Sequence, residues 1–208
     1  MTSALRGNSF FTRLGRWTAE LLLVFVGVYT AFWLNNYQQH RQDANRRDQI
    51  LAALEDGLKG GIGNAKTEGA KQDKVLAEFR RALNAGEMPP LHSFAFTSDY
   101  SPTDTATLLQ SGGIELLDVK TLTSLHNLES VIRGGLSRMA HYERLSDEMI
   151  APNLDQDISF FYDPATKKLR KRFEKYPDAI QASADFFHSM EKAYTELLKQ
   201  IQAERQRH

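Results

Sequence analysis

Six histidines, at positions 40, 92, 126, 141, 188 and 208, are the first place to look for chemistry in this 208-residue chain. Imidazole is the side chain best suited to proton transfer and metal ligation near neutral pH. Their spacing builds neither. His126 and Glu129 can share a helix face, as can His188 and Lys192, but neither pair has a further ligand group at metal spacing. The chain has no cysteine, which excludes disulfides, thiolate metal sites and cysteine nucleophiles. The glycines at 57–63 lack the Gly-Lys-Ser or Gly-Lys-Thr ending of a phosphate loop, and they follow an amphipathic segment where that loop needs a strand. No serine stands in a nucleophile-elbow context, and the paired carboxylates Asp155 and Asp157 fall in a polar loop. The expectation is a protein without catalytic residues, cofactor or metal.

The densest charge cluster is Lys167, Lys168, Arg170, Lys171 and Arg172, five cations within six residues. Such a cluster can contact anionic lipid head groups or nucleic acid, and an exported domain would not meet nucleic acid. The competing explanation is a solvated helix face neutralised by Asp163 and Glu174. Across the whole chain 26 Lys and Arg balance 26 Asp and Glu, so overall charge names no nucleic-acid or acidic partner.

These residues must be positioned by elements, and one element dominates. Residues 21–40 contain no Asp, Glu, Lys or Arg, and nine of the fourteen residues at 21–34 are Leu, Val or Phe. At about −0.3 to −0.6 kcal/mol per such residue near a bilayer centre, insertion outweighs the cost of Gly27, Tyr29 and Thr30. Trp17 and Tyr37 stand 20 positions apart, roughly 30 Å along a helix, which matches a hydrocarbon core with an aromatic at each interface; Trp33 joins the outer belt. A buried core helix and a cleaved signal peptide are the alternatives. The run continues into Phe32, Trp33, Leu34 and two asparagines rather than small residues, which favours an uncleaved anchor.

Arg6, Arg13 and Arg16 precede the run, and Arg41, Arg46 and Arg47 follow it. With the terminal amine added, the first cluster favours a cytoplasmic N-terminus and an exported C-terminal domain. Arg16 and Glu20 are spaced for an i, i+4 ion pair at the membrane edge. Gly27 and Ala31 put small residues at the four-residue step that lets two spans approach.

Glu20, the central Gly27 and the exit Asn35, Asn36 and Tyr37 resemble the opening of an uncharacterised bacterial family of single-span membrane proteins. A second stretch, from Asp104 through Ser111, Gly112 and Gly113 to Leu116 and Leu117, is similar to that family's Ser-Gly turn and following aliphatic pair. The likeness covers roughly the first 60 residues and residues 100–145. It departs at Tyr37, where Trp is commoner, and at the glycine-rich run after Leu54. It implies the bacterial inner membrane and a helical domain, and it carries no chemistry.

Beyond the span the pattern is helical. Leu51, Leu54, Leu58, Ile62, Ala65, Gly69, Leu76, Phe79 and Leu83 form a stripe in steps of mostly three and four, and the glycines predict a kink or break within residues 57–64. Gly86 marks a stop. Ser101 and Pro102 start a short helix that ends at Gly112 and Gly113. Asp118 can cap a helix bearing Leu122, Leu125, Ile132, Leu136 and Met139, within which Gly134 and Gly135 allow a bend or a close approach. Residues 153–163 read as loop with a short extended piece at 158–162. Asp163 and Pro164 then open a basic helix ending near 176–177. The last helix, from Asp178, carries Ile180, Phe187, Met190, Tyr194, Leu197 and Ile201, a stripe that needs the one at 50–83 as partner.

The expected architecture is all-α: a basic leader at 1–16, a transmembrane helix at 17–37 and a helical extramembrane domain at 38–208. The expected role is a non-enzymatic interaction or scaffold module that meets the lipid bilayer and a second copy or another membrane protein. The alternative is a membrane-anchored sensor or ligand-binding bundle signalling through a separate partner.

Overall fold

The computed structural model describes residues 8–94 and 113–207, with side chains described from residue 22 onward. Three long helices dominate: α1, Asn8–Asn84; α2, Val119–Met149; and α3, Tyr176–Arg207. Short 3-10 turns at Ile114–Leu116, Ala151–Asn153, Ile158–Phe160 and Lys171–Phe173 connect them. Among the described residues there is no strand, only the single bridge between Tyr162 and Leu169. The chain divides into two compact units, Met1–Arg47 and Asp48–His208.

α1 runs unbroken through residues 57–64, so the expected kink does not form. The first proline after residue 1 is Pro89, so nothing removes a helical donor before then. Gly61 and Gly69 serve a close approach: a methyl group on Gly61 would lie 3.1 Å from the Tyr194 ring, and one on Gly69 would lie 3.0 Å from His188 Cε1. The remaining glycines weaken propensity by about 1 kcal/mol each, and burial of Leu51, Leu54 and Leu58 offsets that cost. α1 stops at Gly86, as its sequence predicts. Gly86 has φ +72°, its N–H donates to Leu83 O at 3.0 Å, and Glu87 N–H donates to Ala82 O at 2.9 Å, a left-handed cap that closes the last turn.

Two apolar cores fill the second unit. One joins Ile50, Leu51, Leu54, Leu58 and Ala65 of α1 to Leu125, Leu128, Ile132 and Met139 of α2 and to Phe186, Met190, Tyr194, Leu197 and Ile201 of α3. The expected pairing of the α1 and α3 stripes is therefore present. Gly135 is the point of closest approach in this core, because a methyl group there would stand 2.0 Å from the Phe186 ring. The other core gathers Leu76, Phe79, Leu91, Ile150, Phe161, Tyr162, Phe173, Tyr176 and Ile180. Residues 87–94 are strapped across it: Tyr162 Oη donates to Pro89 O at 2.6 Å, His92 N–H donates to Tyr176 Oη at 2.9 Å, and Phe94 N–H donates to Ser146 Oγ at 2.7 Å. Burial pushes the Tyr162 phenol well above its ordinary range, and the neighbouring Tyr176 adds to the shift.

Three local expectations are corrected. Residues 163–172 do not form a basic helix: Asp163 Oδ1 accepts from Ala165 N–H at 2.8 Å and Thr166 N–H at 3.3 Å, and Lys167 takes φ 54°, which closes a turn instead. Of the piece at 158–162, residues 158–160 form a 3-10 turn, with Asp157 Oδ1 accepting from Ser159 N–H at 2.9 Å, and the extended part is reduced to the bridge of Tyr162 with Leu169. Asp118 occupies the cap position of α2, but its carboxylate pairs with Arg207 Nη2 at 2.6 Å and not with the helix. The expected helix at 101–112 lies outside the described residues.

Among the described residues no helix is long and apolar enough to cross a membrane. The stretch from Leu22 to Gln39 includes Asn35, Asn36, Gln38 and Gln39. Their amides lower its mean hydropathy. The all-helical architecture stands.

Candidate functional site

The apolar stretch of α1 is solvent-facing on every side. Leu22, Leu23, Val24, Phe25, Val26, Val28, Tyr29, Phe32, Trp33, Leu34 and Tyr37 are 47–76 % exposed. Successive helix positions turn by about 100°, so these residues cover the whole circumference rather than one stripe. Gly27 has no atom within 4 Å of where a side chain would begin, and Ala31 is exposed, so the small-residue face is open. Thr30 Oγ1 donates to Val26 O at 2.7 Å, which satisfies the hydroxyl within the helix. The side chains of Arg16, Trp17 and Glu20 lie outside the described residues.

At the polar end of this stretch Trp33 and Tyr37 stack, centroids 5.9 Å apart at 13°, and Arg41 Cζ lies 5.3 Å from the Tyr37 centroid. The order Trp, Tyr, Arg at steps of four makes a ladder on one helix stripe. The sequence points to the two aromatics as a belt and to Arg41 only as a flanking charge, although the i, i+4, i+8 spacing places all three on one stripe.

The basic cluster is split by the turn it lies in. Arg170 Nε donates to Tyr162 O at 3.0 Å and to Ser159 O at 3.2 Å, so its guanidinium holds the loop together. Arg172 lies over Phe160 at 4.1 Å and Phe173 at 4.7 Å. Lys167, Lys168 and Lys171 are exposed, and they form the part of the cluster left to meet an anionic surface.

Other polar groups bind the helices to one another. Glu204, fully buried, accepts from Asp118 N–H at 3.1 Å and from Thr121 Oγ1 at 2.5 Å, fixing the start of α2 to the end of α3. An acid standing three residues after Ile201 on an apolar stripe was the sequence signal for this anchor. Glu55 of α1 pairs with Lys59 Nζ at 2.9 Å, with Gln202 at 3.2 Å and with Arg205 at 2.6 Å, and those hydrogen bonds, Lys59 first, hold its carboxyl down at about 2. His188 Nε2 lies 2.8 Å from Asp73 Oδ2, with Glu191 at 4.0 Å from Nδ1. His188 and Asp73 are about half exposed and Glu191 about a third, and no group of three metal-ligating residues occurs among the described residues. A half-open apolar cleft of about 60 Å³ lies between Phe94, Tyr142, Met149, Phe173 and Tyr176, with Arg172 and Lys175 at its edge. That space holds a few carbon atoms, far below the several hundred Å³ of a typical small-molecule site.

Fold and site together define a three-helix assembly whose first helix carries an uncovered apolar girdle. Compared with known families, curated proteins and solved structures, the chain matches none.

Proposed function

We propose that the chain is a single-pass membrane protein of the bacterial inner membrane, its N-terminus cytoplasmic, whose exported helical bundle works as a non-enzymatic interaction scaffold. The observation that carries this reading is the apolar girdle at 22–37, exposed around the entire helix. A stripe calls for one partner helix, whereas a full girdle calls for a surrounding solvent of hydrocarbon. The internally bonded Thr30 hydroxyl suits that solvent, since no donor is left unmet. The resemblance to single-span bacterial proteins points the same way. The bundle's polar groups tie helices together, which suits a scaffold.

Membrane fractionation followed by alkaline extraction of the full-length protein tests the anchor. Wild type is expected to stay in the pellet. Val26→Arg together with Leu23→Arg, each costing about 2.5–3.5 kcal/mol near a span's centre, should release it. Wild-type protein recovered in the alkaline supernatant overturns the reading. Protease added from outside the inner membrane should digest tags placed at the C-terminus and spare those at the N-terminus. Light scattering and mass spectrometry of the detergent-purified complex test the scaffold role, which a clean monomer with no co-purifying chain contradicts.

A further inference from the structure

The end of the girdle carries more than an aromatic belt. Arg41 has no acidic partner among the described residues, and its helical neighbours at three and four positions are Tyr37, Gln38, Ala44 and Asn45, none of them acidic. With no carboxylate in reach, the guanidinium turns back along the helix onto the Tyr37 ring, 5.3 Å from its centroid. Helical side chains lean toward the N-terminus, so the cation is carried about one turn toward the apolar girdle from its own Cα. From the girdle side, the ladder reads Trp33, then Tyr37 with the Arg41 guanidinium against it.

The depths agree with lipid dimensions. Four residues advance a helix by about 6 Å. A bilayer about 40–45 Å thick around a core of about 30 Å leaves an interfacial layer of roughly 5–7 Å on each side. Tyr37, the interfacial aromatic, lies one turn beyond Trp33, so the guanidinium held against its ring stands about 6 Å further out than Trp33, within that interfacial layer.

From this geometry we infer that Arg41, braced on Tyr37, is a binding site for the phosphate of a phospholipid head group, the adjoining acyl chain lying along Trp33. This rests on the membrane-anchor reading above. The guanidinium fork presents parallel N–H donors to two phosphate oxygens, the strongest hydrogen-bond pairing open to a side chain at that depth. The ring beneath covers one face of the cation, so fewer waters must leave when the phosphate arrives. The stacked Trp33 and Tyr37 rings hold the platform in place before the lipid binds.

Native mass spectrometry of the full-length protein in mild detergent, titrated with dioleoylphosphatidylglycerol, tests the site. Wild type is expected to hold one lipid with an affinity about tenfold higher than Arg41→Gln, the size of one charge-assisted pair. Arg41→Lys and Tyr37→Leu, which remove the fork and the platform, should fall between. Arg46→Gln should bind as wild type does. Equal lipid binding by wild type and Arg41→Gln, in preparations that both resist alkaline extraction, overturns the site and leaves the anchor standing. Wild type released into the alkaline supernatant overturns both. Inorganic phosphate added at the lipid's concentration should leave the lipid bound, and displacement by phosphate alone would reassign the site to the free ion.

Discussion

Two side chains in the bundle occupy places where a small chemical change has a large expected effect. Gly135 lies under the Phe186 ring, and an added methyl group would stand 2.0 Å from it. The ring cannot yield by that much inside a packed core, so Gly135→Ala should destabilise the fold by about 1–3 kcal/mol, read as a lower midpoint in chemical denaturation. Glu204 is the opposite case, a polar side chain held in the core because Asp118 N–H and the Thr121 hydroxyl both point at it. Glu204→Ala leaves those two donors unmet and should cost about 1–3 kcal/mol, while the double variant with Thr121→Val should recover part of the loss. Glu55 gives a pH dependence whose sign is fixed by its depressed carboxyl. Its value in the fold is about 2 against an ordinary 4.5, so the stabilisation from Lys59, Gln202 and Arg205 is complete above 4.5 and is lost as pH falls toward 2. Glu55→Gln should flatten the acid limb of the stability profile within that window.

The glycines of α1 show what the sequence could reveal at the level of elements and what it could not. Five glycines at 57–69 were reason to expect a break, because propensity alone charges about 1 kcal/mol to each. Propensity does not see that Gly61 and Gly69 lie against Tyr194 and His188, or that the flanking leucines are buried. The apolar stripes on α1 and α3 and the stop at Gly86 were legible because period and cap chemistry are local. The cations at 163–172 suit a helix face, but Asp163 bonding to the following backbone N–H groups closes a turn there instead. The exposed aromatics Trp33 and Tyr37 were legible from type and spacing, while the buried role of Glu204 required knowing which helix ends meet. The contrast among the glycines is testable. Gly57, Gly60 and Gly63 have nothing within 4 Å, so Ala at each should stabilise by up to about 1 kcal/mol, raising Tm by roughly 2–4 °C apiece. Gly61→Ala, facing the Tyr194 ring at 3.1 Å, should forfeit that gain. Equal gains at all four positions would mean that the Tyr194 contact is not close in solution.

At the scale of the molecule, the two units divide burial and exposure between them. Every buried side chain among the described residues lies between Ile50 and Glu204, so both apolar cores belong to the second unit. The large exposed apolar side chains are concentrated in the first. Stability of the bundle and the membrane retention proposed for the girdle should then respond to different substitutions. A chain beginning at residue 38 keeps both cores, the Gly86 cap and the Glu55 and Glu204 networks. It should unfold cooperatively in aqueous buffer, with a Tm within a few degrees of the full-length protein in detergent. The paired variant Leu23→Arg with Val26→Arg should likewise leave that Tm unchanged while abolishing membrane retention. If the truncated chain instead aggregates or melts without a cooperative transition, the girdle is part of the bundle's core, and the apolar surface at 22–37 is covered by protein rather than lipid.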